Sequence, residues 1–145
     1  MNAPIDPQFA ARIRDSFARQ QAMALIGASI GLVAPGVVEI VLPFRDDLTQ
    51  QKGYVHGGIV GMIADSAAGY AAYSLMPAGG TLVTAEYKIN LLAAATCGLV
   101  ARGEVVKAGR TLTVARAEVY ADDRTHIATM QQTLMMLPGR SDQRE

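Results

Sequence analysis

Residues 55–76 read VHGGIVGMIADSAAGYAAYSLM. This stretch is too long for a strand and apolar on nearly every side, so it predicts a helix buried over most of its surface. Small residues at Gly61, Ala64, Ala67, Ala68, Gly69, Ala71 and Ala72 would let neighbouring elements approach its backbone closely. The Pro77 to Gly80 segment ends it, which places a central helix at about 57–75. Asp65 in its middle and its Gly and Ala content argue for a core helix rather than a membrane span.

Four β-like segments follow, at about 81–92, 99–107, 112–121 and 125–137. Turn residues at Ala108-Gly109-Arg110 and Asp122-Asp123-Arg124 join the last three into an antiparallel meander. Before the helix, 29–33 and 37–44 form a hairpin about Ala34-Pro35-Gly36, and a polar loop from Asp46 to Gly53 leads into the helix. Phe9, Ile13, Phe17 and Met23 predict an amphipathic lead-in helix at about 7–25, with Asp6 before Pro7 as its N-cap. The charged tail, 138–145, is expected to be disordered. The pattern is α+β: one domain, 1–145, with an antiparallel sheet wrapped around one long helix.

A chain of 145 residues holds one core and no separate cofactor domain. Half of it is hydrophobic and only 18% charged, so part of its surface is expected to be covered by a partner subunit. Thirteen basic residues balance thirteen acidic ones, which leaves no broad footprint for nucleic acid or an anionic membrane. Cys97 is the single cysteine and His56 and His126 the only histidines, a poor set for a disulfide framework or a metal; no metal is expected. Residues 1–7 lack a secretory pattern, so a cytoplasmic protein is expected.

Between positions 53 and 85, Asp65 is the only residue with a formal charge at neutral pH. A carboxylate inside an apolar helix is costly unless it is bonded, paired or in a wet pocket. One reading is a structural acid bonded to backbone or Ser66; the other is a reacting group. His56-Gly57-Gly58 at the helix entrance offers backbone N–H groups with no side chain to block a ligand, although two glycines also serve a tight turn. Gly57 and Asp65 are eight positions apart, about 12 Å along a helix, too far to share one carbonyl. If both act in one site, Asp65 comes from the other subunit.

The run GYVHGGIVGMIADSAAGYA at 53–71, with the closing strand IATMQQT at 127–133, resembles the PaaI-like branch of the hotdog thioesterase superfamily over about residues 8–137. The resemblance implies a hotdog fold and hydrolysis of a small or medium acyl or aryl-acyl CoA thioester. By that likeness the Gly57 amide polarises the carbonyl, Gln50 assists from the preceding loop (Gln51 if the loop slips by one), and Asp65 activates water or attacks directly. Thr84 matches a strand Ser or Thr that holds the water. A related branch carries Glu as the acid and Thr one turn later; with Asp65 and Gly69 here, that Thr has no counterpart. The resemblance also implies a homodimer with sites along the subunit interface; a dimer alone and a dimer paired again into a tetramer both fit the apolar excess, and no cofactor is expected beyond the coenzyme A of the substrate.

His56 either bonds the loop or contacts substrate, and Gly58 adds a second amide on the substrate side. Lys107 and Arg110 flank a turn and are candidates for the coenzyme A phosphates, although basic residues at turns are usually only solvated. Tyr70, Tyr73 and Met62 are candidate pocket walls. Arg102, Glu104, Arg116 and Glu118 read as one polar sheet face with cross-strand ion pairs. Two other functions fit less well. A hydratase or dehydratase of this fold would need a proline-rich segment after its histidine, where Gly57-Gly58-Ile59 stands; a non-catalytic acyl-CoA binder would not need Asp65.

Overall fold

The computed structural model describes residues 4–143. Its centre is a helix, α3, Gly57–Tyr73, packed against the inner face of one curved sheet. The chain begins with two helices, α1, Phe9–Ala18, and α2, Gln21–Ile26, where the sequence predicts one. The apolar phase explains the break. Phe17 follows Ile13 by four residues and stays on the same face, but the six-residue step to Met23 turns about 240° away. Interrupting the helix, with Gln20 in an extended conformation, buries Ile13, Phe17, Met23 and Ile26 together.

Strands β1, Ser29–Ala34, and β2, Val37–Leu42, form the expected hairpin. Gly36, after Pro35, has the positive φ of 75° that such a turn requires. β2 stops at Leu42, two residues short of the expected end, because Pro43 brings no N–H to a ladder. After α3 come β3, Thr81–Leu91, β4, Leu99–Lys107, β5, Leu112–Ala121, and β6, His126–Leu137. The six strands make one antiparallel sheet ordered β1-β2-β4-β5-β6-β3. The predicted meander is β4-β5-β6, and β3 crosses over to pair with β6 and form one edge.

The sheet curls around α3 because its inner face is small where the helix passes. Ala101, Ala115 and Ala117 are fully buried there. At Gly103 a Cβ would stand 2.2 Å from the carbonyl of Ala67, so β4 lies directly on the helix backbone. The helix is also held at its C-terminal end. The Arg12 guanidinium donates to the carbonyls of Met76 (2.9 Å) and Tyr73 (3.3 Å) while its Nε bonds Asp6 at 2.9 Å. Buried Ser74 donates to Ala71 and accepts the Gly36 amide, tying the β1–β2 turn to α3.

β3 contains one bulge. Thr84 pairs with Leu134 and Glu86 with Thr133, so Ala85 is an extra residue. This shifts the alternation: Leu82 and Thr84 face inward before it, and Tyr87, Ile89 and Leu91 after it, because their partners Met136, Leu134, Gln132, Met130 and Ala128 are all buried. The outer face carries the polar residues. Glu104 pairs with Arg116 as expected, but Arg102 bonds Glu39 on β2, and Glu118 bonds His126 and Thr129. Residues 138–143 of the expected disordered tail fold back instead, and Asp142 bonds Arg19 at 2.7 Å; 144–145 lie outside the described residues.

Candidate active site

Asp65 projects from the middle of α3 toward the start of β3, where the Thr84 hydroxyl faces inward just before the bulge. Thr84 Oγ1 donates to Asp65 Oδ1 at 2.7 Å, the short length of a hydrogen bond to a charged acceptor. The carboxylate is half-buried at the wall of a cavity of about 320 Å³. It is therefore neither sealed in the core nor bonded to Ser66. One oxygen is fixed by Thr84 and the residue reaches open space, which suits a group that must meet a ligand.

Behind Thr84 lies a residue that sequence reasoning did not single out. Gln132 is fully buried on the inner face of β6, its Nε2 3.5 Å from Thr84 Oγ1 and its Oε1 without a partner among the described residues. The sequence carried a signal for it: Gln132 is the polar break in the inward series Met130, Gln132, Leu134. Gln132, Thr84 and Asp65 thus form a line of hydrogen bonds from the sheet core to the cavity.

The cavity extends from Asp65 toward the C-terminal end of α3, over Gly69 and between Tyr73 and Leu82. Tyr70 and Tyr73 line it as expected, whereas Met62 does not. Ser16, Arg19 and Gln20 from α1 and the neighbouring bend, with Asp142 from the tail, form its far wall. The Tyr70 hydroxyl bonds Gln20 (3.0 Å) and Ser16 (3.2 Å). Burial holds the phenols of both Tyr70 and Tyr73 above the usual tyrosine range, so both are neutral donors at physiological pH.

The start of α3 is a second cluster. His56 is its N-cap, and Nδ1 accepts the Gly58 amide at 2.9 Å. The histidine is thus a bond acceptor for the helix, which leaves the proton of the neutral ring on Nε2. The bond occupies the Gly58 amide, whereas the Gly57 amide has no acceptor among the described residues. It is an unsatisfied donor at the positive end of a 17-residue helix. Leu91 lies across Gly57: an added Cβ would stand 2.6 Å from Leu91 Cδ1. Gln50 sits in the loop below, where its Oε1 accepts the Lys52 amide, so its Nε2 remains as a donor.

The structure joins Asp65 to Thr84, and Gly57 to His56 and Gly58, but keeps the two clusters apart on one continuous helix. Lys107 and Arg110 join neither. They are exposed at the β4–β5 turn, where Arg110 borders a separate, mostly apolar cavity beside Leu75 and Met76.

A long central helix wrapped by one six-stranded antiparallel sheet is the hotdog fold. The sequence model of the thioesterase superfamily matches residues 52–128, more than half the chain. The chain belongs to that superfamily. It is similar to a thioesterase family protein from Silicibacter pomeroyi, with 50% identity, 90% of this chain and 99% of that chain covered, and a TM-score of 0.87. The Escherichia coli PaaI protein from the phenylacetic acid degradation operon shares the fold at 18% identity, with a TM-score of 0.85 over 92% of this chain and 96% of that one. A Halobacterium salinarum protein provisionally named an esterase is 29% identical over 102 residues, 67% of this chain and 68% of that one.

Proposed function

We propose that the protein hydrolyses acyl-CoA thioesters at a site completed by a second copy of the chain, with Asp65 as the base that activates water. The observation that carries this reading is the half-buried Asp65 carboxylate, fixed on one oxygen by Thr84 and open to a cavity that can hold an acyl group. Asp65 would take a proton as water attacks the carbonyl carbon, and return it to the coenzyme A sulfur when the C–S bond breaks. Direct attack by Asp65 to give a mixed anhydride, then hydrolysed by water, has the same overall balance. The Gly57 amide, aided by Gln50 Nε2, would stabilise the negative charge that develops on the carbonyl oxygen. His56 holds the entrance in shape, and Lys107 and Arg110 are proposed partners of the coenzyme A phosphates.

Two features support a dimer. Gly57 and Asp65 lie about 12 Å apart along one helix, too far to meet one thioester carbonyl, so a site that uses both would take them from different chains. β3 is an 11-residue edge strand with Val83, Tyr87 and Leu91 all about half exposed beside Glu86 and Lys88, so a second copy there would cover apolar area. Thiol release from a panel of short, medium and aromatic acyl-CoAs, followed with a thiol reagent, tests the activity. Release from at least one supports it. Tight acyl-CoA binding without release would instead assign a binding module.

A further inference from the structure

Building on the thioesterase reading, we infer that Gly69 determines which acyl groups the cavity beside Asp65 admits. Four glycines lie in α3. Gly57 and Gly58 open the helix, and Gly61 is buried with the Tyr87 hydroxyl 3.5 Å from the place a Cβ would take. Gly69 is only partly buried, and a Cβ built there meets only Leu134 Cδ2, at 4.0 Å; both glycines would make ordinary contacts, but Gly69 alone of the two lines the cavity. Glycine in a helix interior is less stable than alanine, and no close approach at Gly69 requires it.

Its position supplies the reason. Gly69 lies one turn beyond Asp65 on the same helix face and lines the same cavity, with Tyr73 a further turn along the helix and Leu82 contributed by β3. The cavity leads from Asp65 toward Gly69 and away from Gly57. A thioester carbonyl held at Asp65 would therefore send its acyl group over Gly69, about 5–6 Å further on. The missing side chain gives room for bulk a few carbons from the carbonyl, as in a ring-bearing or branched acyl group. A methyl group here would close that room and leave the Asp65–Thr84 pair intact.

The test compares Gly69→Ala with Gly61→Ala, measuring thiol release from acetyl-CoA and from 3-phenylpropanoyl-CoA together with Tm and sedimentation. For Gly69→Ala the ratio of kcat/KM, ring-bearing over acetyl, should fall about 10-fold, the low end of what one methyl group produces in an apolar pocket, because Ser16, Gln20, Ser66 and Thr81 share this lining. Its Tm should rise by about 2–4 °C, with unchanged mass. Gly61→Ala should leave the ratio at the wild-type value. An equal loss on both substrates, a lowered Tm or mass, or a wild type that ignores the ring-bearing substrate would overturn the inference. A wild type that releases thiol from no acyl-CoA overturns the thioesterase reading itself, a distinct result.

Discussion

Asp65 shows how one side chain's surroundings separate a structural from a reacting acid. It keeps one strong bond, from Thr84, and is otherwise turned to a cavity. Asparagine at this position can still accept the Thr84 hydroxyl through its carbonyl oxygen but cannot take a proton from water. Asp65→Asn should lower kcat by about 10²–10⁴ with KM and Tm nearly unchanged; turnover close to wild type would remove Asp65 from the mechanism. Gln132 adds a second residue-scale case. Its role in holding Thr84 was not legible in the sequence, because its meaning depends on which residue of β3 lies opposite, and a bulge sets that register.

At the scale of elements, the decisive contact is the one between α3 and β4. Because a Cβ at Gly103 would meet the Ala67 carbonyl at 2.2 Å, backbone against backbone, no side-chain rotation can relieve the clash. Gly103→Ala should cost about 1–3 kcal/mol or more in urea unfolding, and an unchanged midpoint would show that the helix can shift away without loss. Such a contact is half legible in the sequence. The alanines and glycines of α3 announce a close approach but not by which strand. The strands themselves were legible, since β4 and β5 follow from alternation and turn residues alone. The strand order was not, because β3 is adjacent in sequence to β4 but pairs with β6 across the sheet. The break at Gln20 is not legible in apolar spacing alone, because Met23 extends the list of apolar residues while its six-residue step from Phe17 leaves the helical face.

At the scale of the whole molecule, exposed apolar side chains are spread over the surface, with Val83, Tyr87, Leu91 and Leu92 grouped along and just after β3. The proposed shared site needs a second copy that sets one chain's Gly57 near the other's Asp65. Sedimentation should therefore give at least twice 15.3 kDa at micromolar concentration. Val83→Lys places a charge on the exposed edge without touching the cavity and should shift the protein toward monomer with a parallel loss of turnover. A monomer of full activity would refute the shared site, leaving Gly57 and Asp65 to act apart. The composition predicts a covered surface without placing it; which strand is an edge needed the topology.

The bulge at Ala85 has an evolutionary corollary. Removing one residue from a sheet strand ordinarily turns every later side chain to the opposite face. Here the partner strand already skips Ala85, so losing its codon would make the ladder regular while Thr84 still faced Asp65 and Tyr87, Ile89 and Leu91 still faced inward. The deletion would remove only the local bend and added twist that a bulge brings to an edge. Of all the positions in β3, this is the one at which a lineage can gain or lose a residue in a single step and keep its chemistry in phase.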